Sequence, residues 1–218
     1  MRLENFQTLI QNLPVRQQSF TTRRDYQVWQ TAENIFEWYR PLNNIFFGND
    51  LSLKISRQDL FNINDTRALI LKTIYWGYPR GGNIRHHFND ILQNIQTLED
   101  TLNEIRNIPN PTTTDFDRIV NVFSEIKGLG LSTYSKLLYF SKIKFNGHCC
   151  QILDTRLIEI FNNEIFDDFS AFRQIRYDNA KNYYIRYIET TNQIANRLQT
   201  NGENIEQFLF IFGNNLQQ

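Results

Sequence analysis

The chain has 218 residues, and its 23 Lys and Arg balance 23 Asp and Glu, which argues against a protein that coats nucleic acid indiscriminately. Because 41% of the residues are hydrophobic, the composition predicts a globular protein of one compact domain or two closely packed lobes. No apolar run approaches the roughly 20 residues that a membrane span needs, and no signal peptide heads the sequence, so we expect a cytoplasmic protein.

Helical spacing of apolar residues accounts for most of the chain. The first 50 residues are weakly patterned but expected to be helical, and 51–55 (LSLKI) is the single short strand candidate. Later apolar stripes predict helices over 65–75, 88–106, 177–198 and 205–212. Because strand patterns are scarce, the fold class that the sequence predicts is all-α.

A Gly-Leu-Gly turn joins two further predicted helices. The first would begin with a capping box of Thr114 and Asp117 and end at Gly128, and the second would begin near Ser132 as its N-cap. Gly128 and Gly130 would let a phosphate approach the free backbone N–H groups of the second helix. Such a turn grips a nucleic-acid backbone without reading its sequence.

Basic residues cluster in two windows that contain no acid, 66–89 and 126–153. The acids gather instead at 90–117 and 159–168. Together the two windows predict a positive groove on a neutral protein, which is typical of a DNA-binding protein. Chance clustering of charges on solvated faces is the alternative interpretation.

The second window and its border contain the two groups needed to cut an N-glycosidic bond, the amine of Lys136 and the carboxylate of Asp154. A lysine amine attacks the sugar carbon and forms a Schiff base if its pKa is low. We expect Lys136 in the first turn after the hairpin, where the helix dipole and partial burial both lower its pKa. The carboxylate would take the proton and stabilise an oxocarbenium-like transition state. The alternatives are a surface lysine and an aspartate that only caps a helix.

The turn, Lys136 and Asp154 together resemble the helix-hairpin-helix superfamily of DNA glycosylases, specifically its 8-oxoguanine-glycosylase-like branch. The resemblance covers about residues 66–161, and ILDTR at 152–156 matches the catalytic aspartate motif. It implies a two-lobed helical fold in a single domain of residues 1–218. The base-flipping lobe would lie at about 65–106, and the hairpin and catalytic segment at about 115–161.

Two departures from the family pattern matter. Family lysines often lie two residues after the second hairpin glycine, where this chain has Ser132, and Lys136 follows four residues later on the same helix face. Either the hairpin is longer here, or the protein uses water with Asp154 alone. Cys149 and Cys150 are the only cysteines, too few for the four-cysteine iron–sulfur cluster of some relatives. We therefore expect buried thiols, no metal and no cofactor.

The run WGYPRGGNIRHH, residues 76–87, mixes aromatic, cationic and glycine residues. An enzyme that acts on a base within a duplex must extrude that base and fill the gap. Trp76 or Tyr78 would wedge or stack there, or would be core aromatics. By the resemblance, the predicted DNA contacts are Gly128, Gly130 and Ser132 on the hairpin and Arg80, Asn83, Arg85 and His86 in this run.

The resemblance implies a monomeric DNA glycosylase with β-elimination (AP lyase) activity in base excision repair. It would flip a damaged or modified base out of double-stranded DNA, with oxidised guanine as the family default. One alternative is a monofunctional glycosylase that uses Asp154 and water. The other is a non-catalytic helix-hairpin-helix module that binds DNA in repair or in phage defence.

Overall fold

The structure is a computed structural model that describes residues 1–216, so residues 217 and 218 of the predicted domain lie outside the described residues. The α-helices are α1 (Gln7–Gln11), α2 (Gln27–Ile35), α3 (Tyr39–Phe47), α4 (Arg57–Phe61), α5 (Thr66–Gly77), α6 (Phe88–Gln93), α7 (Ile95–Asn107), α8 (Thr113–Ser124), α9 (Leu131–Phe140), α10 (Thr155–Asn162), α11 (Tyr184–Arg197) and α12 (Gly202–Phe212). The strands are β1 (Ser19–Arg23), β2 (Ser52–Ser56), β3 (Lys144–Phe145) and β4 (His148–Cys149). Short 3₁₀ helices cover Leu3–Phe6, Val15–Gln17, Gly82–His86, Asp167–Phe172, Ala180–Tyr183 and Gly213–Leu216.

Helices dominate the fold, which confirms the all-α prediction, and the sheets are small. β1 pairs antiparallel with β2, from Ser19 opposite Ser56 to Arg23 opposite Ser52. The strand candidate at 51–55 is thus confirmed as β2, and the expectation of helix through the first 50 residues is wrong at β1. The β1 sequence SFTTR favours a strand because β-branched and aromatic residues suit a pleated, half-buried surface. In the described residues no helix is long and apolar enough to span a membrane.

Two helices at the centre of the fold position the site. All ten residues of α9 are buried, and α5 buries most of its residues and packs directly on α9 and on β1. A helix that is buried all round has no face for solvent. Any polar side chain on α9 is therefore held inside the protein.

Several predicted helix boundaries are wrong, and local capping explains why. The capping box of α8 is Thr112 with Asp115, not Thr114 with Asp117: Asp115 Oδ2 accepts from the Thr112 backbone N–H at 2.8 Å and from its hydroxyl at 2.9 Å. This helix ends at Ser124, four residues before Gly128. The N-cap of α9 is Gly130 rather than Ser132.

Two long predicted helices are interrupted. The stripe over 88–106 divides into α6 and α7 at Asn94, whose side-chain amide donates to the Asp90 carbonyl at 2.8 Å and competes with the backbone ladder. The stripe over 177–198 is regular only from Tyr184, after a 3₁₀ turn. The last helix begins at Gly202 with Asn201 as its N-cap.

Candidate active site

A cavity of about 200 Å³ brings Lys136 and Asp154 together. Lys136 comes from α9, Asp154 from the residue that precedes α10, Trp76 and Gly77 from the end of α5, and Phe210 from α12. Elements far apart in the sequence thus converge on one space. Lys136 and Asp154, the two residues that the sequence predicted for covalent chemistry, both line this cavity.

Lys136 is a buried lysine, with 6% of its surface exposed, so the interpretation as a surface lysine is wrong. Its Nζ donates to the Ser132 carbonyl oxygen at 2.6 Å and lies 5.6 Å from the centre of the Tyr78 ring. Burial lowers the pKa of Lys136, although the negative charges of Asp154 and Glu206 act to raise it. Because Lys136 is the sixth residue of α9 rather than part of its first turn, burial and not the helix dipole is the main cause.

Gly77 makes room for the lysine. A Cβ placed at residue 77 would lie 3.0 Å from Lys136 Cδ and 3.2 Å from Cε. The Lys136 stem therefore runs against the backbone at the end of α5, and an added methyl group would press on it. Sequence reasoning did not find this role of Gly77, because nothing local shows which distant side chain passes over a glycine.

Asp154 both caps α10 and lines the cavity. Its Oδ1 accepts from the backbone N–H groups of Arg156 at 3.1 Å and Leu157 at 3.2 Å. The segment before it is fixed as well, because the Leu153 N–H donates to Ser135 Oγ on α9 at 3.2 Å. The capping and the cavity-lining interpretations of Asp154 therefore both hold, and the carboxylate has a defined position on the wall of the cavity that Lys136 also lines.

A buried ion pair that sequence reasoning missed forms another part of the cavity wall. Arg57 Nη2 lies 2.7 Å from Glu206 Oε2, and each side chain is 1% exposed. Arg57 also donates from Nε to Gln18 Oε1 at 2.6 Å and from Nη1 to the Tyr139 hydroxyl at 3.0 Å. Both partners line the cavity, which therefore contains two cationic and two anionic side chains. The one available signal was a glutamate within the apolar run of 205–212.

The hairpin turn between α8 and α9 is tightly covered. Gly128 has a φ of +82°, and a Cβ there would lie 2.3 Å from His87 Cβ. A Cβ at Gly130 would lie 2.2 Å from the Tyr177 hydroxyl. The positive φ and the packing thus require glycine at residue 128, whereas a side chain at residue 130 would meet only the end of the exposed Tyr177 side chain, which can move. Gly130 is the N-cap of α9, and its carbonyl oxygen accepts from the N–H groups of Thr133 at 2.8 Å and Tyr134 at 3.0 Å. The N–H groups of Leu131 and Ser132 are the first-turn donors that an α-helix leaves without a partner of its own. Ser132 is buried.

All four predicted DNA contacts within residues 80–86 have solvent-exposed side chains: Arg80, Asn83, Arg85 and His86. By contrast, Trp76 is 3% exposed and packs edge-on against Phe20 and Phe140, with ring centres 5.1 and 5.2 Å apart. Its interpretation as a wedge is therefore wrong, and it belongs to the core and the cavity wall. The Tyr78 hydroxyl bonds with Thr133 Oγ1 at 2.8 Å.

The two adjacent cysteines differ in environment. Cys150 is buried as expected, and burial raises the pKa of its thiol, whereas Cys149 is exposed. The expectation of two buried thiols is therefore wrong for Cys149. It lies on β4 at the edge of a two-residue hairpin, where alternate side chains face solvent.

A family model described as "Putative 8-oxoguanine DNA glycosylase OGG-like protein" matches residues 13–210, which is most of the chain. The chain belongs to this family. No curated protein and no solved structure matches it. Membership in the OGG-like family confirms the branch that the motifs indicated, and it supports DNA glycosylase activity with DNA as the substrate. The roles of individual residues stay predictions.

Proposed function

We propose that this OGG-like protein excises a damaged or modified base with Lys136 as nucleophile and Asp154 as its proton acceptor, and then cleaves the strand by β-elimination. The observation that carries the proposal is the shared cavity of about 200 Å³, where a buried amine and a fixed carboxylate face the same space. Oxidised guanine is the first base to test, because the family description names it.

In the proposed reaction, the Nζ lone pair of Lys136 attacks C1′ of the flipped nucleotide, and the C1′–base bond breaks. The base leaves with the bonding electrons. Asp154 accepts the proton that the amine loses and passes it to the departing base. The nitrogen lone pair then expels the ring oxygen O4′, which takes a proton from water, and this ring opening produces a protonated Schiff base between Nζ and C1′. Removal of a proton from C2′ then expels the 3′ phosphate.

The environment of Lys136 supports this role. Burial lowers the pKa of the amine, so that more of it is neutral at physiological pH than for an exposed lysine. A lysine inside a protein destabilises the fold unless it is paired, and an enzyme keeps it there for chemistry. A module that only binds DNA has no need of a buried lysine beside an empty space.

The outer surface supports duplex DNA as the partner. The N-terminal turn of α9 would hold a backbone phosphate without reading sequence, and Gly128, Gly130 and Ser132 form that turn. The exposed Arg80 and Arg85 follow Gly77 and Pro79, which line the cavity, along the chain, and Arg85 lies in the 3₁₀ helix Gly82–His86. They would contact the DNA beside the extruded base, in a monomeric repair enzyme.

Borohydride trapping tests the proposal. The protein would be incubated with duplexes that each carry one oxidised or otherwise modified base, and base release and covalent adduct would be measured together. Release with an adduct supports the bifunctional mechanism. Release without an adduct overturns the role of Lys136 and leaves the monofunctional alternative with Asp154 and water. Tight binding of every duplex with neither release nor adduct contradicts the enzyme and favours the binding module.

A further inference from the structure

A second cavity, of about 320 Å³, lies at the C-terminal end of α9 and is called the α9 C-terminal cavity below. Its walls come from residues 141–144, which follow α9, and from the end of α7 with the loop after it. Among the described residues, no acidic side chain lines it. Because α9 has ten residues and is about 15 Å long, this cavity is separate from the Gly-Leu-Gly turn at the other end of the helix.

Arg106 lines the α9 C-terminal cavity without a carboxylate partner. Its Nη1 donates to Thr66 Oγ1 at 2.9 Å and its Nε to the Ser141 carbonyl oxygen at 3.4 Å, so neutral oxygens hold the guanidinium. In the part of the chain that the structure describes, Nη2 donates to no protein group. Burial lowers the pKa of Arg106, and no negative charge offsets the lost hydration. A fixed guanidinium with free donors suits the oxygens of an anion.

The Ser141 hydroxyl is an unused donor beside this arginine. Ser141 is 5% exposed, and its Oγ has no hydrogen-bond partner among the described residues. Buried hydroxyls are nearly always paired, because an unpaired one destabilises the fold. Since the Ser141 carbonyl holds Arg106, the free hydroxyl and the free Nη2 belong to neighbouring groups on one wall. Lys144, which is exposed, adds an ammonium group on a flexible stem.

The helix ends at this cavity do not cancel its positive charge. α7 ends at Asn107 and α9 at Phe140, and each C-terminus contributes about half a negative charge. Arg106 and Lys144 carry two full positive charges, so about one positive charge remains. Lys142 also lines the cavity, but its Nζ lies 6.0 Å from the centre of the Phe61 ring, which belongs to a neighbouring cavity.

We propose that the α9 C-terminal cavity binds a small phosphate monoester. Arg106 Nη2, the Lys144 ammonium and the Ser141 hydroxyl donate to the phosphate oxygens, which are strong acceptors. The rest of the wall is apolar and packs against the organic group of the ester: Ile105, Ile108, Pro111 and Ile143. A volume of about 320 Å³ has room for both parts of such a ligand. This site takes no part in the base excision proposed above, so each stands without the other.

Calorimetric titration with phenyl phosphate tests the site, in a buffer that contains no other multivalent anion. Phenyl phosphate should bind saturably at one site per chain. Inorganic phosphate should bind about tenfold more weakly, because it lacks the ring that packs on the apolar wall. Phenol should not bind detectably. The proposal is overturned if phenyl phosphate does not saturate, if phenol binds equally tightly, or if inorganic phosphate does.

Ser141→Ala separates a ligand contact from a structural role. It removes a buried hydroxyl that has no partner, so the melting temperature should hold or rise, while the affinity for phenyl phosphate should fall about fivefold, the effect of one hydrogen bond. A hydroxyl that only supports the fold would give a lower melting temperature and an unchanged affinity, and that result overturns the proposal.

Lys144→Gln tests the positive charge of the site. Lys144 is exposed on β3, so the fold should survive, and the affinity for phenyl phosphate should fall about tenfold with the loss of a charged donor. The matched control is Lys54→Gln, which removes the same charge from an exposed position on β2 that lines a different cavity. The control should bind phenyl phosphate like the wild type. An unchanged affinity in folded Lys144→Gln, or an equal loss in the control, contradicts the proposal.

Duplex DNA decides the source of the phosphate, since a backbone phosphate offers oxygens of the same kind. With undamaged duplex present in excess, phenyl phosphate should bind as before, because the cavity lies at the opposite end of α9 from the Gly-Leu-Gly turn. Lys144→Gln should then bind the duplex normally. If the duplex displaces phenyl phosphate and Lys144→Gln binds the duplex more weakly, the cavity holds a backbone phosphate and the assignment of a small ester is overturned.

Discussion

The cavity and the outer surface beside it are built in different ways. Lys136 and Asp154 are held by hydrogen bonds and packing from several elements, and they lie at the junction of α5, α9, α10 and α12. Arg80 and Arg85 project from an exposed turn and form no ion pair in the described residues. Burying an ionisable side chain destabilises the fold, so we expect such a residue to serve one function in one fixed position. An exposed cation tolerates change, because its interaction with phosphate is long-range and shared.

Among the variants that test this difference between the cavity and the surface, Lys136→Gln should have the largest effect. The variant should abolish borohydride trapping and leave affinity for duplex DNA nearly unchanged, because the amine acts in covalent chemistry and not in charge neutralisation. Gel detection of the adduct, with affinity measured on the same preparation, checks this. Lys142→Gln is the matched control and should trap normally, since Lys142 lies beyond the end of α9 and lines other cavities. Equal trapping by Lys136→Gln would move the nucleophile to another amine.

Asp154→Asn should have the next largest effect. Asparagine caps a helix as well as aspartate does, so the bonds from Arg156 and Leu157 to Oδ1 can persist and folding should survive. Single-turnover excision should fall by about two to four orders of magnitude, which is typical when a positioned acid–base or charge-stabilising group is lost. Affinity for DNA should hold or rise, because a carboxylate near phosphates repels them.

Asp154→Ala is the companion that separates the two roles of this residue. It removes the cap as well as the charge, so it should cost about 1 kcal/mol in the free energy of unfolding, in addition to the lost excision. Melting temperature and excision measured on both variants decide the point. Normal excision by a folded Asp154→Asn would end the mechanism proposed above.

A smaller effect is expected from Gly77→Ala, which tests the cavity wall without touching a polar group. The new methyl group would lie 3.0 Å from Lys136 Cδ, so the lysine side chain must shift by a few tenths of an ångström. Excision should fall about tenfold because misplaced reacting groups lose rate steeply. The melting temperature should not fall, since alanine is favoured over glycine in a helix by up to about 1 kcal/mol. Unchanged excision would show that the stem of Lys136 adapts freely.

The sequence predicted what depends on neighbours along the chain. Apolar spacing predicted the helices over 65–75, 88–106, 177–198 and 205–212 with partly wrong boundaries, and the Gly-Leu-Gly turn together with ILDTR at 152–156 indicated Lys136 and Asp154. The N-caps of α8 and α9 lie two residues before the predicted ones, and α8 ends four residues before Gly128. For the N-cap of α8 the reason is that Thr112 and Thr114 are each followed by an aspartate at the right spacing, and only packing selects one. The helix after the Gly-Leu-Gly turn, α9, shows no amphipathic pattern in its sequence, because all of its residues are buried.

The rest of the site depends on contacts between distant positions. Arg57 meets Glu206 across most of the chain, and Gly77 meets Lys136 and Gly130 meets Tyr177 from positions more than 40 residues apart. No local pattern encodes such a pair, because each residue alone has an ordinary explanation as a helix cap, a break or a surface charge. Resemblance to a family supplied the chemistry of the cavity but not the ion pair in its wall.

The smallest effect is expected on the outer surface, from Arg85→Ala. Arg85 is exposed, and among the described residues its Nε donates to His86 Nε2 alone, at 3.1 Å, so removing it should leave the fold and the saturated rate of excision unchanged. If the guanidinium contacts a backbone phosphate, affinity should fall about fivefold for every duplex alike. The slope of log affinity against log salt should become shallower by about 1, because one contact releases about one counterion. Arg118→Ala is the matched control: Arg118 is also an exposed arginine on this protein, but it is paired with Glu104, so its loss should change neither quantity.

A loss of affinity by Arg85→Ala that depends on the base in the duplex would contradict the phosphate contact and would make Arg85 a reader of the extruded base or of its former partner. In that case the exposed turn would share the single-task character of the cavity, and the contrast between the two regions would be lost.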